Sequence, residues 1–295
     1  MIKKPFNSLN DYFVRYFFTD KGGEKVLLDF INAVMISANM KTFKSVEILN
    51  PFNLKKNYSD KETIVDVKCI TKNGTIVIIE VQLSGNSRFP ERILYYWSTN
   101  YSKLLKKGEG YEDLTPVISI NLLNFNLNKK DSNVHSCYMI YDTKNKRLLT
   151  DHLQIHIIEL KKFNFKNNNL SKDLNYWLGF FTTKNMEEYM SEIVKEKPIM
   201  EEAHKRYNNF IRSRLMMSEY EKKEIYQYDK QIMLKDERLK GIKQGIKDEK
   251  YSIAKSLKQM DMDNKSISKA TGLTIEEIGN LPLIRIKTLN VYINK

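Results

Sequence analysis

ETIVDVKCITKNGTIVIIEVQL, residues 62–83, reads as two apolar strands joined at Lys72-Asn73-Gly74, with Asp66 in the first and Glu80 and Gln82 near the end of the second. A polar group left unpaired in a sheet core costs about 1–3 kcal/mol, so these three face either water or a ligand. Period-two alternation puts Glu80 and Gln82 on one face with Ile76 and Ile78, and Val77, Ile79 and Val81 on the other. Whether Asp66 joins them depends on the turn. A two-residue Asn73-Gly74 turn pairs Lys72 with Thr75 and sets Asp66 against Val81, on the wrong face. A three-residue loop, Lys72-Asn73-Gly74, pairs Thr71 with Thr75 and sets Asp66 opposite Glu80. The last position of such a loop is left-handed, a conformation Gly74 adopts without steric cost.

In the second register the Cβ atoms of Asp66 and Glu80 stand about 4.5–5.5 Å apart, so that both carboxylates reach one small cation. Without a cation, two acids at that spacing repel and raise each other's pKa. Mg²⁺ or Mn²⁺ suits such a pair, because it takes oxygen ligands and commonly binds one or two carboxylates together with substrate phosphate. That is a recipe for phosphodiester hydrolysis. Gln82 orients an attacking water through its amide but carries no charge. The plain alternative is a hairpin whose three polar residues lie on a wet face.

Working outward, the 295 residues suffice for one full-sized core and a smaller appendage. The 49 basic against 36 acidic side chains leave a net charge of +13, which favours a polyanionic partner such as nucleic acid or an anionic membrane surface; solubility is the simpler use of the same charge. No apolar run approaches the roughly 20 residues of a membrane span, and MIKKPFNSLNDYF lacks the apolar stretch of a signal peptide, so a soluble, cytoplasmic protein is expected, with no membrane role. The two cysteines, Cys69 and Cys137, form no CxxC pair, which argues against a disulfide framework or structural zinc. His152 and His156, four apart in the alternating TDHLQIHIIEL, read as solvent-side strand residues rather than metal ligands.

LNDYFVRYFFTDKGGEKVLLDFINAVM reads as helix, a Gly22-Gly23 break, then helix. SVEILNP follows as an edge strand stopped by Pro51. Beyond the central hairpin come an amphipathic helix, ERILYYWSTNYSKLLKKG, ended by Gly108, a buried strand in TPVISINLLNF, and strands in HSCYMIYDT and QIHIIEL. This order is that of an α/β core with a mixed sheet. From about residue 171 the pattern is almost wholly helical and charge-rich, with sparse apolar positions, and reads as long solvated helices. The expected organisation is a core over 1–170, a charged helical extension over 171–250 and a small helical module over 251–295.

VDVKCITKNGTIVIIEVQ resembles the Asp, hairpin, Glu-x-Gln core of PD-(D/E)XK nucleases known as Rpn family recombination-promoting nucleases or transposases. DYFVRYFF is similar to that family's Asp-x-x-Phe-Lys-x-x-Phe opening, with Val14-Arg15 in place of Phe-Lys. EKVLLDFINAVM resembles its second helix, RILYYWSTNYSKLLKKGEGYEDLTPVISINLLNF its Tyr-rich helix and next strand, and IAKSLKQMDMDNKSISKATGLTIEEIGNL its terminal segment. The resemblance implies a restriction-endonuclease-like core with a mixed central sheet flanked by helices. It also implies a Mg²⁺-dependent endodeoxyribonuclease (Mn²⁺ or Ca²⁺ as other occupants) that acts on DNA in recombination. Asp66 and Glu80 are then the metal ligands, Gln82 stands where related enzymes have Lys, and Asp11 is an outer acid, or alternatively a helix N-cap. Lys68, on the Asp66 face, is the candidate for the missing cation.

NKSISKATGLTIEEIGNL has helix-turn-helix spacing, but its second helix opens with TIEE, which repels phosphate and favours a protein-interaction module over groove reading. A two-strand cut needs two active sites, which makes a homodimer through the C-terminal helices attractive. The competing function is a catalytically inactive nuclease-fold protein that binds DNA or self-associates.

Overall fold

The computed structural model describes residues 6–52, 66–85, 88–166 and 168–282. The chain divides into two units, 1–224 and 225–295.

In the first unit α1 (Asp11–Thr19) and α2 (Glu24–Ser37) are split by a tight turn at Gly22-Gly23. A Cβ on Gly23 would lie 2.3 Å from the Phe18 carbonyl oxygen, so the chain reverses there only with glycine. Six strands follow: β1 (Val46–Ile48), β2 (Val67–Thr71), β3 (Ile76–Gln82), then, after α3 (Phe89–Ser102), β4 (Val117–Leu123), β5 (His135–Tyr141) and β6 (Leu148–Glu159). They form one mixed sheet in the order β1-β2-β3-β4-β6-β5. The β3–β4 and β4–β6 pairs are parallel and the others antiparallel. Pairing the central strands in parallel requires a crossover between β3 and β4, and α3 provides it. This is the α/β architecture expected, with helices flanking a mixed sheet.

Helices cover both faces of the sheet. On one, Val67, Cys69, Val77, Ile79 and Val81 pack into the main core with the aromatic stripes of α1 and α2. On the other, Ile76, Ile78 and Val117 pack with Trp97 and Tyr101 of α3. The alternation read from the sequence therefore separates two buried faces, as a central strand with covers on both sides requires.

Three differences from the sequence reading have physical causes. α4 (Lys172–Thr182), α5 (Met186–Ile193) and α6 (Ile199–Arg212) are not solvated helices: Leu174, Trp177, Phe180, Met190, Met200 and Phe210 are buried in the core of α1 and α2. Apart from the buried Arg206 of α6, most of their charges lie on the outward side, an arrangement that composition alone does not separate from a helix wet all round. α3 stops at Ser102, before Gly108. His156, expected on a solvent face, is wholly buried, with its ring against His135 and Cys137 of the neighbouring strand β5.

The rest is helical. α7 (Arg214–Gln259) begins in the first unit. In the second unit α8 (Asn264–Thr271) ends on a left-handed Gly272 and is followed by the five-residue α9 (Ile275–Gly279). Ala254, Ile267, Leu273 and Ile278 make that unit's small core.

Candidate active site

Antiparallel pairing of β2 with β3 sets Val67 against Ile79, Lys68 against Ile78 and Ile70 against Ile76. The loop is the three-residue form: the Thr71 amide donates to the Thr75 carbonyl at 2.9 Å, and Gly74 closes it at φ +81°. Thr115 Oγ1 donates to the Gly74 carbonyl at 2.7 Å, tying the loop to the start of β4. Continuing this register by one residue sets Asp66 against Glu80. Asp66 itself stands on a bend immediately before β2, not inside a strand, and residues 62–65 lie outside the described residues. Its Oδ2 accepts from the Val81 amide at 2.8 Å, so the side chain takes the place of a strand partner and is pulled over the end of β3.

Glu80 lies on the α3 side of β3 and is 3 % exposed. Oε2 accepts a 3.4 Å hydrogen bond from Gln82 Nε2, while Oε1 is buried without a hydrogen-bond partner among the described residues. Burial first, and the Asp66 charge second, push the Glu80 carboxyl up to about 8; Arg92 and the Gln82 amide pull back. Burial likewise raises Asp66 to about 7, with the Asp11 charge adding to it and the Val81 amide, Arg15 and Lys223 opposing. At neutral pH the two carboxylates therefore cannot both hold a negative charge cheaply. An orphaned carboxylate oxygen beside a second strained acid is a donor set suited to a hard divalent cation. Among the described residues no group of three or more His, Cys, Asp and Glu side chains is placed to hold a metal ion.

Asp11 is not the N-cap of α1. Asn10 is, its side-chain oxygen accepting from the Tyr12 and Phe13 amides at 3.0 and 3.4 Å. Asp11, in the first turn, faces the site: its charge acts on Asp66, and it pairs with Lys223 at 3.5 Å. Two long-range clamps set this position. Asn7 and Asn10 both donate to Glu224 Oε1, at 3.1 and 2.7 Å, fastening the start of α1 to α7. At the other end the buried Arg206 of α6 donates to the carbonyls of Tyr16, Phe17, Asp20 and Lys21, satisfying acceptors that a helix terminus leaves bare.

Lys68 does not figure among the charges acting on either acid, and the one charge that acts on it is Lys103. Arg92, in the first half of α3, instead faces Glu80, with its guanidinium 5.3 Å from the Phe89 ring centre and 5.9 Å from that of Tyr96. Its Nε and Nη2 are buried and without hydrogen-bond partners among the described residues. The sequence signal was an arginine framed by aromatics three before and four after it on a helix, a pattern that equally describes a surface residue lying over apolar neighbours.

A family model described as PD-(D/E)XK nuclease family transposase matches residues 8–237, which span the hairpin, both acids and all six strands. The chain belongs to this family. No curated protein and no solved structure gives a significant match. In this member of the family the hairpin segment carries Asp66, Glu80 and Gln82, while the charges of Asp11, Arg15, Arg92 and Lys223 act on the two acids from helices. No helix among the described residues is long and apolar enough to cross a membrane.

Proposed function

We propose that this chain is a divalent-metal-dependent DNA endonuclease of low sequence specificity, acting in recombination or mobile-element chemistry in the cytoplasm. The observation that carries the reading is the buried Glu80 carboxylate, with one oxygen unpartnered, set against Asp66 in a nuclease-family fold. Asp66 and Glu80 would hold the ion, Mg²⁺ first and Mn²⁺ or Ca²⁺ as substitutes. When bound, such an ion polarises a phosphate and makes a water more acidic.

The remaining tasks fall to the chain itself. The Val81 amide fixes the direction of the Asp66 carboxylate. Gln82 donates to Glu80 through Nε2, which leaves its carbonyl oxygen to accept from a water and orient it. Arg92 offers unpartnered guanidinium donors to a phosphate oxygen, a role a lysine in place of Gln82 would otherwise fill. Asp11, backed by Lys223, acts on Asp66 from outside as a second-line acid. The net charge of +13 supports backbone binding without base reading, with affinity falling steeply as salt rises.

The test is supercoiled plasmid incubated with Mg²⁺, Mn²⁺, Ca²⁺ or chelator, using the wild-type protein and Asp66→Ala. Nicking that needs Mg²⁺ or Mn²⁺ and is lost in Asp66→Ala is expected. Nicking in chelator, or nicking retained by the variant, defeats the mechanism. Binding without cleavage under every condition favours an inactive DNA-binding protein.

A further inference from the structure

In the second unit α7 carries an aliphatic residue at every seventh position: Ile225, Ile232, Leu239, Ile246 and Ile253. All five are exposed, between 43 % and 60 %. Tyr228 and Ile242, each three residues beyond one of them, are exposed as well. On a straight helix five residues at this spacing drift by about 80° in total, about 20° per heptad, and form a line only when the helix winds left-handedly around another. Gly241 and Gly245 within the same stretch weaken an isolated helix, and a Cβ added to either would meet no other atom within 4 Å. A long wet helix with a periodic apolar seam and two glycines is poorly explained by its own stability.

We propose that this seam is the docking surface for the same helix of a second copy of the chain, running antiparallel. The flanking charges select both the partner and the direction. With the five aliphatic residues as a positions, the e positions are Asp229, Asp236, Lys243 and Lys250, acidic in the first half and basic in the second. None of these four has an ion-pair partner among the described residues. An antiparallel pair brings e positions against e positions. About one two-fold axis Asp229 then meets Lys250 of the second copy, and Asp236 meets Lys243; the axis repeats both contacts, making the surface self-complementary.

A parallel pair sets each g position against the e position five residues on. Glu224 then faces Asp229 and Arg238 faces Lys243, both repulsive, while Gln231 and Gly245 offer Asp236 and Lys250 no charge. Lys235 and Glu249 occupy d positions, and such polar intrusions in the seam lower affinity while restricting register. The assembly is therefore a moderate, concentration-dependent dimer that carries two copies of the candidate active site.

Sedimentation of the full chain from nanomolar to tens of micromolar concentration tests this. A monomer–dimer equilibrium is expected, abolished in Ile232→Asp/Ile246→Asp. Lys243→Asp, which turns two attractive contacts into two repulsive ones in the antiparallel pair, should weaken the dimer about tenfold, and adding Asp236→Lys should restore it. In a parallel pair Lys243→Asp would instead face Arg238 and tighten the dimer. The charge-swapped double variant keeps composition and seam intact, so its recovery separates lost pairing from lost folding. A wild-type monomer at the highest concentration, a dimer that survives Ile232→Asp/Ile246→Asp, or a tighter Lys243→Asp dimer would each overturn the proposal. The first of these would assign the seam to another chain.

Discussion

Replacing Glu80 by Gln should make the metal-free protein more stable, the reverse of the usual outcome for a buried residue. The Glu80 carboxyl is raised from 4.5 to about 8, so at pH 7 the folded chain holds a proton that the unfolded chain has released. Two and a half pH units at about 1.4 kcal/mol each oppose folding by about 3 kcal/mol. Part of this is shared with Asp66, whose charge is the second cause of the shift, leaving about 2 kcal/mol for the single substitution. Gln fills the same space, and its amide nitrogen merely inherits the lack of a partner at Oε1. The gain corresponds to about 4–8 °C in melting temperature for a unit of this size. Because a raised carboxyl loses stability as pH rises, the gap between Glu80→Gln and wild type should be widest at about pH 8 and close towards pH 4.5. Thermal melts in chelator across that range measure it. A variant less stable than wild type at pH 7.5, or a gap independent of pH, would refute the electrostatic reading of this carboxylate.

Two histidines, His156 wholly buried and His135 partly buried beside it, carry the opposite sign. Burial holds His135 down at about 4 and His156 at about 3, the second also by the neighbouring ring 3.0 Å away, so both are neutral when folded and take protons only on unfolding. Their contribution is complete above about pH 6.5 and is lost below it, at up to about 1.4 kcal/mol per pH unit for each ring; the stability advantage of wild type over His135→Gln, followed by urea midpoints, should shrink from pH 7 to pH 5. Arg92→Gln should lower cleavage about a hundredfold, as expected for loss of one transition-state donor, and weaken DNA binding by a catalytically blocked Asp66→Asn protein, whereas Lys68→Met should change neither beyond about twofold. Gly74→Ala should cost about 1–2 kcal/mol in urea unfolding, since φ is +81° and the added Cβ would lie 2.9 Å from Thr115 Cγ2. An unchanged midpoint would mean that the loop is not held in the left-handed form.

What the sequence disclosed is local. The register followed from Gly74, because an odd loop needs a left-handed residue at its close, and the shared face of Glu80 and Gln82 followed from alternation alone. The Gly22-Gly23 break, the edge strand before Pro51 and the alternation of helices with strands were equally readable. What it hid depends on chain segments far apart. Lys223 reaches Asp11 from 212 residues away, and Arg206 caps α1 from about 190; neither is marked by its neighbours. His156 looks solvent-facing in the sequence because alternation alone does not say whether a polar residue meets water or a buried partner such as His135, which comes from another strand. Lys68 suggests itself from the sequence because it shares a strand with Asp66, whereas the charge that acts on Glu80 comes from Arg92 on the crossover helix, which nothing in the sequence ties to the hairpin.

The central claim is that Asp66 and Glu80 together hold one divalent ion. Calorimetric titration of the wild type, Asp66→Ala and Glu80→Ala with Mn²⁺, without DNA, tests it most directly. One ion per chain in the wild type, lost in each single variant while their far-ultraviolet dichroism stays that of the wild type, is the predicted result. Undiminished Mn²⁺ binding in either variant would contradict it.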